Sequence, residues 1–392
     1  MVDLIAKATQ LGRAAQYDLC GACGPSASRV RDDLGRWIYP AALPDGRTVR
    51  LFKVLLTNVC ERDCAYCANR AGRDGRRTSL TPDELAAVFD ELVRRDLATG
   101  LFLSSAVCGS VASAMERMIA AVEIVRRRYQ FGGYVHLKIL PGAERAAVER
   151  ATQLAQRVSV NLEAPNAERL ARLSTTKDFE RDLLERMRWA REFMLAQGTA
   201  RAGQTTQFVV GAAGESDREI ITTTSRLYRE LRLARAYFSA FQPVPGTPLE
   251  GLPPTPTIRE HRLYQCDFLL RSYGFDHEEI VYDSLGNLPL DADPKLVWAK
   301  RHPEWFPVDI NRADREALLR VPGIGPRSAA RILSARRHGT LRDLESLRRL
   351  GVVVQRAAPF VLLAGRRPPT QLTLWPQEEM QPAGPVGGSG LR

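Results

Sequence analysis

The sequence has no apolar run approaching the roughly 18–20 residues that a bilayer-spanning helix needs, so no membrane span is expected. Met1 to Arg13 contains no apolar core of the kind a secretory signal carries. Cysteine is scarce and odd in number, seven in 392 residues, which argues against a disulfide framework and for a reducing compartment. Together these features lead us to expect a cytoplasmic protein with no membrane partner. Lysine is missing altogether between residues 309 and 367, where 13 arginines face five acidic residues. That local net of +8 accounts for most of the chain's +11, so the excess charge is concentrated rather than spread, as an anion-binding module requires. Otherwise the composition is that of an ordinary globular chain, long enough for one large domain and a small one.

Three of the few cysteines lie together, in Cys60-Glu61-Arg62-Asp63-Cys64-Ala65-Tyr66-Cys67, just after the apolar run Leu51 to Thr57. Three thiolates on one loop can hold three irons of a [4Fe–4S] cube and leave the fourth open, whereas a structural cluster usually takes four Cys. An open position suggests chemistry. The competing readings are a zinc site, which favours paired C-x2-C arms, and three unrelated thiols. The C-x3-C-x2-C spacing resembles that of the radical S-adenosylmethionine (SAM) superfamily, with Tyr66 at a position where that family usually has an aromatic. The resemblance implies a [4Fe–4S] cluster on Cys60, Cys64 and Cys67. It also implies SAM bound to the free iron, and reductive cleavage of SAM to a 5′-deoxyadenosyl radical.

From Leu51 to Gln242, strand and helix patterns alternate, with strands expected at 51–57, 101–105, 134–140, 157–163, 204–211 and 236–242. Thr81-Pro82-Asp83-Glu84 reads as a helix start with a capping box. Six βα units without hairpin signals predict a parallel sheet. The expected fold class is therefore α/β; six units fit the partial (β/α)6 TIM-type barrel that the radical SAM resemblance implies, and a small all-α domain is expected at the C-terminus.

In such a barrel the site lies at the C-terminal ends of the strands. Strand two ends in Ser104-Ser105, where the radical SAM family has a Gly-Gly-Glu-like segment meeting the SAM amino group; here hydroxyls and backbone carbonyls stand in its place. Lys138 follows His136 at period two on strand three, and Asn161 and Glu163 do the same on strand four. These polar groups either meet SAM or pair with each other, Lys138 with Glu163. Gly211 and Gly214 resemble the family's GxIxGxxE stretch and would let backbone approach the adenine. The Pro-Gly-Thr-Pro segment at 245–248 resembles the end of other radical SAM barrels. Cys108, near the end of strand two, is the candidate for a radical relay.

Residues 1–50 read as an N-terminal extension, 51–248 as the barrel and 249–305 as an aromatic-rich bridge. Cys20 and Cys23 form a second C-x2-C, which with Cys108 and Cys266 could build an auxiliary cluster or zinc site; small buried thiols are the plainer reading. Residues 306–365 read helix, tight turn, helix around Pro322-Gly323-Ile324-Gly325, with Asp309 or Asn311 as the first cap and a degenerate second unit turning at Leu350-Gly351-Val352. This resembles the helix-hairpin-helix family, which binds DNA phosphates without regard to sequence. The hairpin amides at Gly323 and Gly325 would point at a phosphate, Ile324 would plug the core, and Arg327, Ser328 and Arg331 would add contacts. The tail, 366–392, is Pro/Gly-rich and expected to be disordered. Within it, Gln371, Leu372, Leu374 and Trp375 resemble a sliding-clamp docking peptide.

The order of barrel, bridge and hairpin resembles a bacterial radical SAM family provisionally named for DNA modification or repair and linked to uracil-DNA-glycosylase-like partners. It implies a radical SAM enzyme acting on DNA, served by an electron donor. Two alternatives stand beside it. One is the same enzyme acting on RNA. The other is a DNA-bound redox-sensing or recruiting module with a structural cluster.

Overall fold

The computed structural model describes residues 2–15, 38–42 and 48–368. Cys20, Cys23 and the clamp-like peptide 371–375 lie outside the described residues. The chain divides into two compact units, one up to Val297 and the other from Trp298.

The first unit is built on a curled, open seven-stranded sheet in strictly sequential order. Its strands are β1 (Ile38–Ala42), β2 (Thr48–Leu55), β3 (Gly100–Ser104), β4 (Tyr134–Lys138), β5 (Arg157–Ser159), β6 (Gln204–Val210) and β7 (Arg235–Ala240). From β2 to β7 all pairings are parallel, as expected, beginning with Leu51 opposite Gly100. The unexpected strand is β1, which adds antiparallel to β2. It carries Pro40, a residue tolerated at a sheet edge because it has no N–H to give.

The helices of this unit are α1 (Val2–Ala14), α2 (Pro82–Arg94), α3 (Val111–Arg127), α4 (Arg145–Leu154), α5 (Ala167–Ala171), α6 (Glu185–Gln197), α7 (Asp217–Leu231) and α8 (Thr257–Phe268), with α9 (Pro294–Arg301) at the boundary. The capping box at Thr81 and Glu84 starts α2, and a second one, Ser216 with Glu219, starts α7. The apolar spacing of α2 does what it predicts: Leu85, Val88, Phe89 and Leu92 are buried. Beyond β7, Tyr264 of α8 gives its hydroxyl to the Phe238 carbonyl and accepts from the Phe238 N–H, both at 3.0 Å. The first part of the expected bridge is thus sewn onto the last strand. Among the described residues no helix is long and apolar enough to cross a membrane.

The second unit holds α10 (Arg315–Arg320), α11 (Pro326–Ala335), α12 (Leu344–Arg349) and α13 (Val354–Ala357). A two-residue parallel pair, β8 (Val308–Asp309) and β9 (Val361–Leu362), ties its ends together. Trp298, Trp305, Phe306 and Phe360 pack within this unit. Trp298 is buried, its ring 5.7 Å from that of Trp305, and Phe306 meets Phe360 at 5.0 Å.

Candidate active site and candidate nucleic-acid interface

The cysteine loop follows β2 and is held by polar pins. Asp63, between the first two cysteines, accepts from the Ser174 hydroxyl (2.5 Å), the Thr175 N–H (2.8 Å) and hydroxyl (2.6 Å), and the Thr176 hydroxyl (2.8 Å). Burial works to raise its pKa, but these donors hold it well below the usual carboxylate range. Arg77 closes the other side. Its guanidinium donates to four carbonyls of the loop: Asn58 (2.6 Å), Asn69, Arg70 and Arg73 (each 2.9 Å). Arg73 bridges from Ala68 O (3.0 Å) to Pro245 O (2.8 Å), joining the cysteine loop to the Pro-Gly-Thr-Pro loop after β7.

Cys60, Cys64 and Cys67 all line one cavity of about 630 Å³ at the C-terminal ends of the strands. Tyr66, Ser104, Ser105, Lys138, Asn161 and Glu163 line it too. Backbone N–H groups approach two of the sulfurs, Arg62 N to Cys60 Sγ at 3.5 Å and Asn69 N to Cys67 Sγ at 3.4 Å. Burial first, then the nearby Cys64, push the Cys67 thiol up to about 12. Among the described residues no group of three or more His, Cys, Asp or Glu side chains closes on a point as a single-ion site would. The three thiols line the wall of one cavity. Three soft donors, amides aimed at two of the sulfurs and an adjoining cavity form a donor set that fits a cluster with one open corner.

Glu163 is the strained residue of the site. The regular part of β5 stops at Ser159, and Glu163 sits beyond it at φ +65°. A non-glycine residue in this region costs on the order of 1–3 kcal/mol and persists only when its surroundings hold it. Here β6 does so: Glu163 N donates to Gln207 O (2.9 Å) and Val209 N donates to Glu163 O (2.8 Å). The carboxylate lies 3.9 Å from the ammonium of Lys177, both side chains nearly buried. Lys177, which also lines the cavity, gives no sequence signal of its own; it follows the Ser174-Thr175-Thr176 run that clamps Asp63. Burial works against its charge, but Cys64 and Glu163 outweigh it and raise its pKa. Lys177 is thus a partner for Glu163 that the sequence reading did not offer. Tyr66 hydrogen-bonds to Glu163, and burial, then Glu163 and the thiols, keep its phenol protonated.

Several other residues have different surroundings from those expected. Gly211 and Gly214 are not on the cavity wall. Gly211 has φ +90°, and a Cβ there would meet Thr255 Oγ1 at 2.0 Å, so packing against Thr255 explains this glycine. The loop is pinned from within: buried Glu215 accepts from the N–H of Gly211 and, at 3.0 Å, of Ala213. Ser105 turns its hydroxyl to Ala106 O at 2.8 Å. His136 pairs with Ser159 Oγ at 2.9 Å. Cys108 is exposed, its thiol 3.8 Å from Glu61 Oε1, and lies off the cavity wall. Cys266 is fully buried in α8, and burial raises its thiol pKa.

In the second unit two hairpins interlock. Gly323 O accepts from Val353 N at 3.0 Å, and Gly351 O accepts from Ser328 Oγ at 2.7 Å. The two glycines share a left-handed backbone, φ +85° and +84°, and a Cβ on Gly323 would strike Val353 O at 2.5 Å. Ile324 is buried as the plug. Gly325 begins α11 with no capping side chain, so the first turn presents N–H groups of the kind that take an anion. Arg327 and Arg331 stand exposed one turn apart beside it. Three expectations change here. Ser328 is buried and committed to Gly351 rather than exposed for phosphate. Asp314 caps α10, while Asn311 instead holds Leu341 through both amide atoms. Arg320 and Arg336 are structural, the first buried against Trp298 (5.0 Å) and the second donating to Ile310 O and Ala313 O, so not every arginine of this stretch faces an anion.

The family model of the radical SAM superfamily matches residues 54–227, and that of the helix-hairpin-helix motif matches residues 305–360. The chain therefore carries a radical SAM domain followed by a helix-hairpin-helix motif. Among curated proteins none matches it. Among solved structures it is similar to methylornithine synthase (PylB), at 16% identity and TM-score 0.46 over 57% of this chain and 62% of that one. It is also similar to HydG, a maturase of the [FeFe]-hydrogenase, at 12% and 0.46 over 56% and 48%. A third is the radical SAM methyltransferase TsrM from Kitasatospora setae, at 14% and 0.40 over 55% and 40%. The chain thus spans less than two thirds of each of these structures.

Proposed function

We propose that this chain is a radical SAM enzyme that acts on a nucleotide of DNA. The supporting observation is the cavity in which Cys60, Cys64 and Cys67 meet Tyr66, Glu163 and Lys177. Cys60, Cys64 and Cys67 would hold a [4Fe–4S] cluster, and the open part of the cavity would take SAM. When bound, the pair supplies reductive cleavage of SAM to a 5′-deoxyadenosyl radical able to abstract hydrogen. The protein's part is to hold and orient. Asp63 and Arg77 fix the cysteine loop, Glu163 and Lys177 keep a neutralised charge pair beside Cys64, and Asn161, Ser104 and Lys138 offer polar contacts for SAM. Arg327, Arg331 and the first turn of α11 would grip phosphates without regard to sequence. A base would have to be single-stranded or flipped to reach such a cavity. Modification or repair of DNA, with a glycosylase-like partner and a clamp-docking tail, is the finer form of this proposal.

The test is anaerobic reconstitution followed by reductant and SAM, with 5′-deoxyadenosine measured with and without DNA. Formation of 5′-deoxyadenosine, absent in Cys64→Ala, is expected. No product under any condition sinks the enzyme reading and leaves a structural cluster; product coupled to structured RNA in place of DNA moves the substrate to RNA.

A further inference from the structure

In the reading above, cluster and SAM use cavity residues from the cysteine loop and from the strand ends of β3 to β5. Much of the remaining wall comes from the far end of the strand order. β6 gives Gln207 and Val209, β7 gives Ser239 and Ala240, and Phe241 and Glu260 of α8 join them. This wall is apolar with a few polar groups, the make-up of a pocket that takes an organic ligand. Glu260 is spent on the fold, since its Oε2 accepts from Ala240 N at 2.8 Å.

Gln207 is different. It is half-buried on the cavity wall, and its side-chain amide makes no hydrogen bond to any described residue. Its backbone is fixed on both sides. Gln207 O accepts from Glu163 N at 2.9 Å, and the residue pairs with Tyr237 in the β6–β7 ladder. The first of these bonds helps to hold Glu163 in its left-handed backbone, so Gln207 is set at a fixed place relative to the Glu163–Lys177 pair. A strand position of this kind is a rigid mount for a recognition group. The group itself is neutral and carries a donor beside an acceptor. Phosphates and carboxylates are held best by cations, so this amide does not select them. It matches the edge of a nucleobase, which glutamine can take with two hydrogen bonds. A base drawn out of the stack is read by such bonds and by packing against apolar side chains. Val209 and Phe241 supply apolar neighbours on the same wall.

We propose that Gln207 reads the hydrogen-bonding edge of the substrate base, which makes the wall formed by β6, β7 and α8 the substrate side of the cavity. The proposal rests on the nucleotide-substrate reading above and assigns the radical SAM unit its own base contact, separate from the phosphate contacts of the hairpins. SAM also carries an adenine edge, so the test separates the two.

The experiment measures binding of the reconstituted full chain, with SAM present and no reductant, to short fluorescein-labelled single strands by anisotropy. Every position of these strands is abasic except the central one, which carries A, C, G or T; a wholly abasic strand is the reference. All the strands share the same phosphates, so the ratio to the reference isolates the base. The wild type should bind at least one base-bearing strand about tenfold tighter than the reference. Gln207→Met, close in size, should lose most of that advantage, while affinity for the abasic strand and for SAM stays within about twofold. Gln207→Glu, which keeps the shape but donates nothing, should reorder the four bases. No base advantage in the wild type ends the nucleotide-substrate reading and this proposal with it. An advantage and an order that both variants keep overturn the assignment of Gln207 and leave the nucleotide reading standing. Loss of SAM affinity in step with the base advantage also overturns it, in favour of the SAM adenine.

Discussion

Arg77 gives the most direct test of how the cysteine loop is held. Replacing it with Met keeps the stem and removes donors from four carbonyls, at 2.6 to 2.9 Å. A hydrogen bond to a charged donor contributes about 1.5–3 kcal/mol, so simple addition would overstate the loss. The site is half-buried, and water can replace part of what is removed. A net cost of about 3 kcal/mol, confined to the loop, is a reasonable scale, and it raises the fraction of open loop about 100-fold. Amide hydrogen exchange reads this locally. The N–H groups of Asn58, Arg70 and Ala71, bonded to Thr78 O, Cys67 O and Arg62 O, should lose about two orders of magnitude of protection. Those of β4 should not change. Arg77→Lys, whose ammonium cannot span four carbonyls, should fall between, and iron retained after reconstitution should follow the same order. Wild-type protection at these three amides in Arg77→Met, within about twofold, would refute the argument, because it would show the loop ordered by something other than this guanidinium.

Lys177→Met removes a cation beside Cys64; in the reconstituted protein the cluster midpoint should drop by on the order of 60 mV in a redox titration followed by EPR, and an unmoved midpoint counts against the contact. Gly211→Ala drives a Cβ into Thr255 Oγ1 at 2.0 Å in a left-handed backbone; about 2–4 kcal/mol of stability should be lost in chemical denaturation, partly recovered in combination with Thr255→Ala. Ser328→Ala should cost about 1–2 kcal/mol while leaving the salt slope of DNA binding unchanged, whereas Arg327→Gln should flatten that slope by about 0.9 with little effect on stability; the reverse pattern would return Ser328 to the interface. Glu219 gives a pH effect. Burial works to raise its pKa, but Arg169, the Ser216 N–H and Asn166 bring it down from 4.5 to about 2. Its folded-state pKa is depressed, so its contribution is present above pH 4.5 and is lost as pH falls toward 2. Acid unfolding of Glu219→Gln should therefore be flatter in that window; parallel wild-type and variant curves would contradict it.

Much of the frame could be read from the sequence because its signals are local. The C-x3-C-x2-C spacing, the capping box at Thr81 and the glycine hairpin at 323 each depend on residues a few places apart. The readings that changed depend on partners far along the chain. Asp63 finds its donors more than a hundred residues away, and that same run delivers Lys177 to Glu163. Alternation along a strand put Glu163 beside Asn161 for the right face but the wrong reason, since the regular strand ends at Ser159 and a left-handed backbone does the aiming. Ser328 looked like a phosphate contact because of its place after the hairpin. Only the second hairpin, through Gly351 O, shows why it is buried. Gly211 likewise resembled a ligand glycine until Thr255 accounted for it.

The pins around the cysteine loop bear on what the loop needs before any cluster is present. An apolar anchor could hold such a loop only by burying residues that here must face a cavity. This chain uses carbonyls and carboxylates, groups that every loop has or can carry at its turns. Asp63 ties the loop to 174–176, Arg77 to its own return, and Arg73 to the segment after the last strand. The three pins run to three different stretches of chain, so loss of one should loosen part of the loop rather than unfold the barrel. That arrangement allows three sulfurs to be positioned by backbone geometry while the space among them stays open.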